Sequence, residues 1–212
     1  MNNYISIFIL LLTALLLSNC APKTISLTSN NLEIINRDRS LISETDGALL
    51  IGEKIDGYGT GIAIIRDVDF DEGKIELDIK GENAPGRSFV GLAFNIQNDT
   101  TYEAIYFRPF NFQSEEQIRR EHSVQYISMP KNDWRYLRTN FEGQYEAEFP
   151  RQPNPDDWFA VSMVIDDQNI VVYDEETGTQ LLSVGRLEKQ MSDQIGFWVG
   201  TKGAFRNLRV KG

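Results

Sequence analysis

Between Gly73 and Gly81 the chain reads Gly-Lys-Ile-Glu-Leu-Asp-Ile-Lys-Gly, apolar at Ile75, Leu77 and Ile79 and charged at Glu76, Asp78 and Lys80. A repeat of two is the period of a strand, because successive side chains leave a pleated backbone on opposite faces. An amphipathic helix would place its apolar residues every three or four positions instead. The same period returns downstream. Val90, Leu92, Phe94 and Ile96 alternate with Gly91, Ala93, Asn95 and Gln97, and Asn98-Asp99-Thr100-Thr101 supplies turn chemistry before a further run, Tyr102 to Arg108. Later runs are His122–Ser128, Phe159–Ile165, Ile170–Tyr173, Gln180–Val184, Ile195–Gly200 and Phe205–Val210. Polar turns at Asp166–Asn169 and Asp174–Thr179 join three of them as hairpins. Short strands at near-even spacing predict an all-β fold, an antiparallel β-sandwich of jelly-roll form. One departure is expected between Pro130 and Asn140, where Asp133 can cap a short helix near 133–140 that turns Trp134, Leu137 and Phe141 onto one face, over the sandwich edge. The connection from Met129 to Trp158 is long and carries Trp134, Tyr136, Phe141 and Tyr145, either as a functional loop or as a satellite core beneath it.

A segment of another kind precedes the strands. From about Ile5 to Leu17 the chain is apolar and uncharged, too short to cross a bilayer and of the length of a secretory signal's apolar region. It closes on Leu17-Ser18-Asn19-Cys20, and Cys20 is the sole cysteine. That ending resembles the lipobox of bacterial lipoproteins, which implies cleavage before Cys20 and lipid on its sulfur. The expected organisation is a signal peptide at 1–19, a lipidated spacer at 20–31 and a single jelly-roll domain at 32–212. Ala21-Pro22-Lys23-Thr24 offers no Lys-Asp pair after the cysteine, so an anchor in the bacterial cell envelope facing the periplasm is expected rather than surface display. With one thiol no internal disulfide forms, and with one histidine, His122, no multi-histidine metal centre does. A net charge of -10 argues against nucleic acid and against electrostatic docking on anionic lipid, and a monomer is expected.

The strand segments carry a resemblance. Gly86-Arg87-Ser88-Phe89-Val90-Gly91-Leu92-Ala93-Phe94 with Tyr102-Glu103-Ala104-Ile105-Tyr106-Phe107-Arg108-Pro109-Phe110-Asn111-Phe112 resembles concanavalin A-like or laminin-G-like jelly-roll domains of bacterial secreted proteins. His122–Ser128, Gln194–Gly200 and Phe205–Val210 are similar to the same family, over most of residues 47–212. The resemblance implies the fold and leaves the activity open. Its members include glycan-binding modules, laminarinase-type glycoside hydrolases and the 3-keto-disaccharide hydrolase family.

Three constellations bear on chemistry. Glu76, Asp78 and Glu82 resemble the laminarinase-type arrangement, but Lys80 and Gly81 occupy the positions where its second catalytic glutamate would stand, so a solvated strand face is expected. Asp67-Val68-Asp69-Phe70-Asp71-Glu72 nearly spells a calcium loop without its glycine at position six, but Val68 and Phe70 alternate as a strand running into a turn, so no cofactor or metal is expected, calcium being the alternative. The third lies on two strands. If Val90, Leu92 and Phe94 face the core, Gly91, Ala93, Asn95 and Gln97 face outward, and Ile105 and Phe107 inward project Tyr102, Tyr106 and Arg108 to the same outer side. Asn95, Gln97, Tyr106 and Arg108, with His122 and Gln125 from a neighbouring strand, are the candidate ligand-binding residues, suited to sugar hydroxyls or a carboxylate. The expected function is a carbohydrate- or ligand-binding envelope lipoprotein. The alternatives are a glycosidic-bond hydrolase using Glu103 or His122 as acid or base, and an adhesion protein docking a protein partner around Trp134 and Tyr136.

Overall fold

The computed structural model describes residues 21–35, 39–45, 47–53 and 61–212. The proposed signal peptide and Cys20 lie outside these residues. In chain order the strands are β1 (Lys23–Thr24), β2 (Leu32–Ile34), β3 (Arg39–Thr45), β4 (Ala48–Glu53), β5 (Gly61–Asp69), β6 (Gly73–Lys80), β7 (Val90–Phe94) and β8 (Tyr102–Phe107). A short helix α1 (Gln117–Arg120) leads to β9 (Val124–Met129), and helix α2 (Trp134–Asn140) leads to β10 (Glu146–Ala147). The chain closes with β11 (Phe159–Ile165), β12 (Asn169–Asp174), β13 (Gln180–Gly185), β14 (Gln194–Val199) and β15 (Gly203–Lys211).

These strands form two antiparallel sheets. One runs β13-β12-β11-β6-β15-β4-β3, with β1 also on β15; the other runs β10-β9-β8-β7-β14-β5-β2. The sandwich of the sequence analysis is confirmed, and the alternation explains it. On β6, Ile75, Leu77 and Ile79 are buried, while Glu76 and Asp78 face outward and pair with Arg209 and Arg206 at 2.8 and 2.9 Å. Val90, Leu92 and Phe94 of the second sheet meet them across a core that also takes Phe107, Phe112, Phe149 and Phe159. Those four rings pack largely edge to face, with centroids 5.1–6.4 Å apart, each such pair adding about 0.5–1.5 kcal/mol beyond its buried area.

Two expectations change. Residues 20–31 do not act as a free spacer from Lys23 onward, because Lys23 and Thr24 pair with Val210 and Arg209, and Ile25 and Leu27 enter the core. Helix α2 starts where Asp133 caps it, its carboxylate accepting the Tyr136 N–H at 2.7 Å, but it buries Leu137 alone. Trp134 and Phe141 stay exposed, and Leu137 packs on the outer face of the second sheet. That face holds an apolar cluster of its own: Ile62 and Ile64 of β5, Ala93 of β7, Tyr102 and Tyr106 of β8, Ile127 of β9 and Trp198 of β14.

Candidate functional site

Gly91 sets the floor of this outer face. It stands between Tyr106 of β8 and Trp198 of β14 in the strand register, and a Cβ there would lie 2.1 Å from the Ile105 carbonyl oxygen. With no side chain between them, the two large rings lean together over the glycine and stack, centroids 4.5 Å apart at 27°. The Trp198 indole N–H donates to the Tyr102 hydroxyl at 3.1 Å, which fixes the ring in place. Above this aromatic floor the sheet opens into a groove of about 590 Å³, lined also by Phe89 and Phe110 and by Trp134 and Arg138 of α2.

Arg108 enters at one end. It follows β8 directly, so the strand's alternation aims it to the same side as Tyr106, and its side chain is 6% exposed. Its guanidinium donates to the His122 carbonyl at 2.7 Å, the Tyr106 hydroxyl at 2.7 Å and the Gln125 amide oxygen at 3.2 Å, and it lies 4.9 Å from the centre of the Tyr106 ring. Burial pulls the guanidinium below its ordinary pKa. Burial also pushes the Tyr106 phenol up to about 12, against the opposing pull of Arg108, so Tyr106 is a neutral donor at physiological pH. Beside them, Arg138 grips Glu146 with three bonds of 2.6–3.1 Å, and His122 Nδ1 sits 2.9 Å from the same carboxylate, off the line of a hydrogen bond. Burial, joined by the positive charges of Arg138 and Arg108, lowers the His122 pKa against the pull of Glu146, which leaves the imidazole neutral at physiological pH.

Of the sequence candidates, Tyr106, Arg108 and His122 line the groove together. Gln125 is 1% exposed and works from behind, donating to the Tyr126 and Tyr145 carbonyls while its amide oxygen orients Arg108. Asn95 and Gln97 do not join them. Asn95 has a φ of +50°, which breaks the alternation of β7 and turns Ile96 to the outer face that Asn95 was expected to occupy. Its amide donates to Glu103 at 2.7 Å and to the Lys189 carbonyl, and its oxygen accepts from the Met191 and Ser192 N–H groups, so it pins the 187–192 loop. Gln97 is exposed beside a separate cleft near Lys131 and Glu188.

Glu103 is unsuited to catalysis. Being 1% exposed, it faces the sandwich interior, where Arg186 binds it at 2.8–3.2 Å and the Tyr126 hydroxyl donates at 2.6 Å. Among the described residues no group of three or more His, Cys, Asp or Glu is placed to hold a metal, the Asp67–Glu72 segment included. Sequence reasoning missed Trp198, Phe89, Phe110 and Arg138 as site residues. Trp198 alone had left a signal, alternating with the buried Phe197 and Val199.

The sequence matches no family model and no curated protein at a significant level. Solved structures share its architecture. The carbohydrate-binding module CBM66 from Bacillus subtilis superposes with a TM-score of 0.60 at 10% identity, over 85% of this chain and 96% of that one. The fold is a concanavalin A-like jelly roll. A protein of unknown function with a galectin-like fold from Bacillus subtilis matches the jelly roll with a TM-score of 0.57 at 11% identity, over 85% of this chain and 88% of that one. A native glycosidic hydrolase matches it at 0.55 and 13% identity, over 89% of this chain and 94% of its own. At such identities the likeness is one of fold, and chemistry has to be argued from the groove.

Proposed function

We propose that the protein is a lipid-anchored envelope protein whose jelly roll binds a carbohydrate in the groove over Gly91 and does not cleave it. The observation that carries this is the groove itself, a hollow of about 590 Å³ where stacked aromatic rings meet a guanidinium, an imidazole and phenol groups. Small-molecule sites span roughly 300–1,000 Å³ and combine apolar walls with a few converging polar groups. Aromatic faces suit the C–H faces of a pyranose, and the polar groups suit its hydroxyls. Glycosidic hydrolysis takes a pair of carboxyl groups about 5–10 Å apart across the bond. Among the described residues that line the groove Asp133 is the one carboxylate, and it is spent on the cap of α2. The carbohydrate-binding module among the structural neighbours supports binding as a use of this fold.

A thermal-shift screen of the protein against oligosaccharides tests the proposal, since a ligand at 100 times its dissociation constant stabilises by about 2.7 kcal/mol. The shift should fall by about half in Trp134→Ala, and a shift undiminished there and in Tyr106→Ala would place the site elsewhere. Binding is proposed to need no metal, so EDTA should leave the shift unchanged. The anchor is tested separately. Metabolic labelling with an alkyne-tagged fatty acid should mark the wild-type chain and not Cys20→Ala, and a soluble, unlabelled wild type would refute it. Periplasmic facing predicts protection of the protein from protease added to intact cells.

A further inference from the structure

We propose that the saccharide is an acidic one, a uronic acid whose carboxylate is received by Arg108. This rests on the carbohydrate-binding proposal and adds the class of sugar. The chain carries 31 Asp and Glu against 21 Lys and Arg, so acidic partners for a cation abound. Arg138, Arg151, Arg186, Arg206 and Arg209 each hold a carboxylate. Arg108, among the more buried of them at 6% exposure, holds none among the described residues. Its three bonds all go to neutral oxygens, those of the His122 backbone, the Tyr106 phenol and the Gln125 amide. A guanidinium carries five N–H donors, so two are left over, one on Nε and one on Nη1, on a side chain that lines the groove.

An unpaired charge held out of water is unfavourable unless something supplies the missing counter-ion. The neighbours do not supply it. From α2, Arg138 adds a second positive charge, which Glu146 of β10 neutralises through two-pronged contact. His122 faces the same carboxylate, and Asp133 is turned to the Tyr136 N–H at the start of α2. A bound carboxylate would complete the set as the counter-ion, accepting a charge-assisted bond from Nε or Nη1, since both Nη2 donors are already held by Tyr106 and Gln125. The Tyr106 hydroxyl and the aromatic walls would then meet the rest of the sugar ring.

The test is a calorimetric comparison, using the full chain, of galacturonate, glucuronate and mannuronate oligosaccharides with their carboxyl-reduced counterparts, alongside sulfated oligosaccharides and short peptides with a free C-terminus. The expected result is binding of at least one uronate, at least tenfold tighter than its reduced counterpart, with the difference lost in Arg108→Gln. Arg108→Lys, which keeps the charge and loses the planar set of donors, should retain part of it. The preference of the wild type for acid over neutral sugar decides the matter even if the variants fold poorly. Equal affinity for acidic and reduced sugars would overturn the role of Arg108 and leave carbohydrate binding standing. Preference for sulfated sugars would overturn the carboxylate. Binding of the peptides alone, or of none of these probes, would overturn the acidic sugar and carbohydrate binding together.

Discussion

Two buried arginines serve the same sheet and differ in one respect. The side chain of Arg186 is 1% exposed inside the sandwich, bonded to Glu103, which also accepts from Tyr126 and Asn95. Arg108 is nearly as buried on the opposite face, and its acceptors are neutral. The first arrangement is closed: every charged group has its opposite within the fold, and the reward is a loop, 187–192, held against the sheet. The second is open, with one charge of a pair present and donors left over. A buried cation with its own carboxylate holds structure together, whereas one without it is poised for something that arrives.

The contrast can be broken from either side. The largest effect is expected from Glu103→Ala, which strands Arg186 in the interior and should cost about 3–5 kcal/mol of unfolding free energy in denaturant titrations. A cost below about 1 kcal/mol would mean that the closed network is not what holds this end. Arg108→Met should do the reverse, leaving stability within about 1 kcal/mol of wild type or above it, while weakening saccharide binding by about 2–5 kcal/mol in calorimetry. Trp134→Ala should weaken binding about tenfold, or 1.4 kcal/mol, and leave the denaturation midpoint almost unmoved, because that ring is 40% exposed. Asp133→Ala removes the cap of α2 and should cost about 1 kcal/mol locally, read as faster amide exchange over 134–140. The smallest effect is one of pH. His122 is held neutral by burial, so its contribution is complete above the unfolded value of about 6.5 and is lost as pH falls from there through the depressed folded value. Stability should therefore decline on acidification in the wild type more steeply than in His122→Gln, and parallel curves would remove His122 from the account.

Strands with one face in the core were legible because their residues alternate, and β6, β8, β9 and β11 through β15 lie within a residue or two of where the periodicity put them, while β7 stops at Phe94, three residues short. β5 was not. Its Ile62, Ala63, Ile64 and Ile65 are all buried, two facing the sandwich core and two the outer apolar cluster, so the run has no period to read. The site was half legible for a related reason. Alternation placed Tyr106 and Arg108 correctly, but a single left-handed residue, Asn95, undid it on the neighbouring strand. The walls contributed by Phe89, Phe110 and Arg138 come from segments that meet only in three dimensions, and nothing local marks them.

The pairing of Lys23 with Val210 has a consequence for reach. A spacer of a dozen residues would let an anchored domain sweep a radius of about 40 Å at 3.3–3.6 Å per residue. A lipid on Cys20 would instead leave three residue steps before the first strand, or about 10 Å. On so short a leash the domain would be held against the bilayer, free to travel along its surface and unable to reach saccharides much beyond its own diameter.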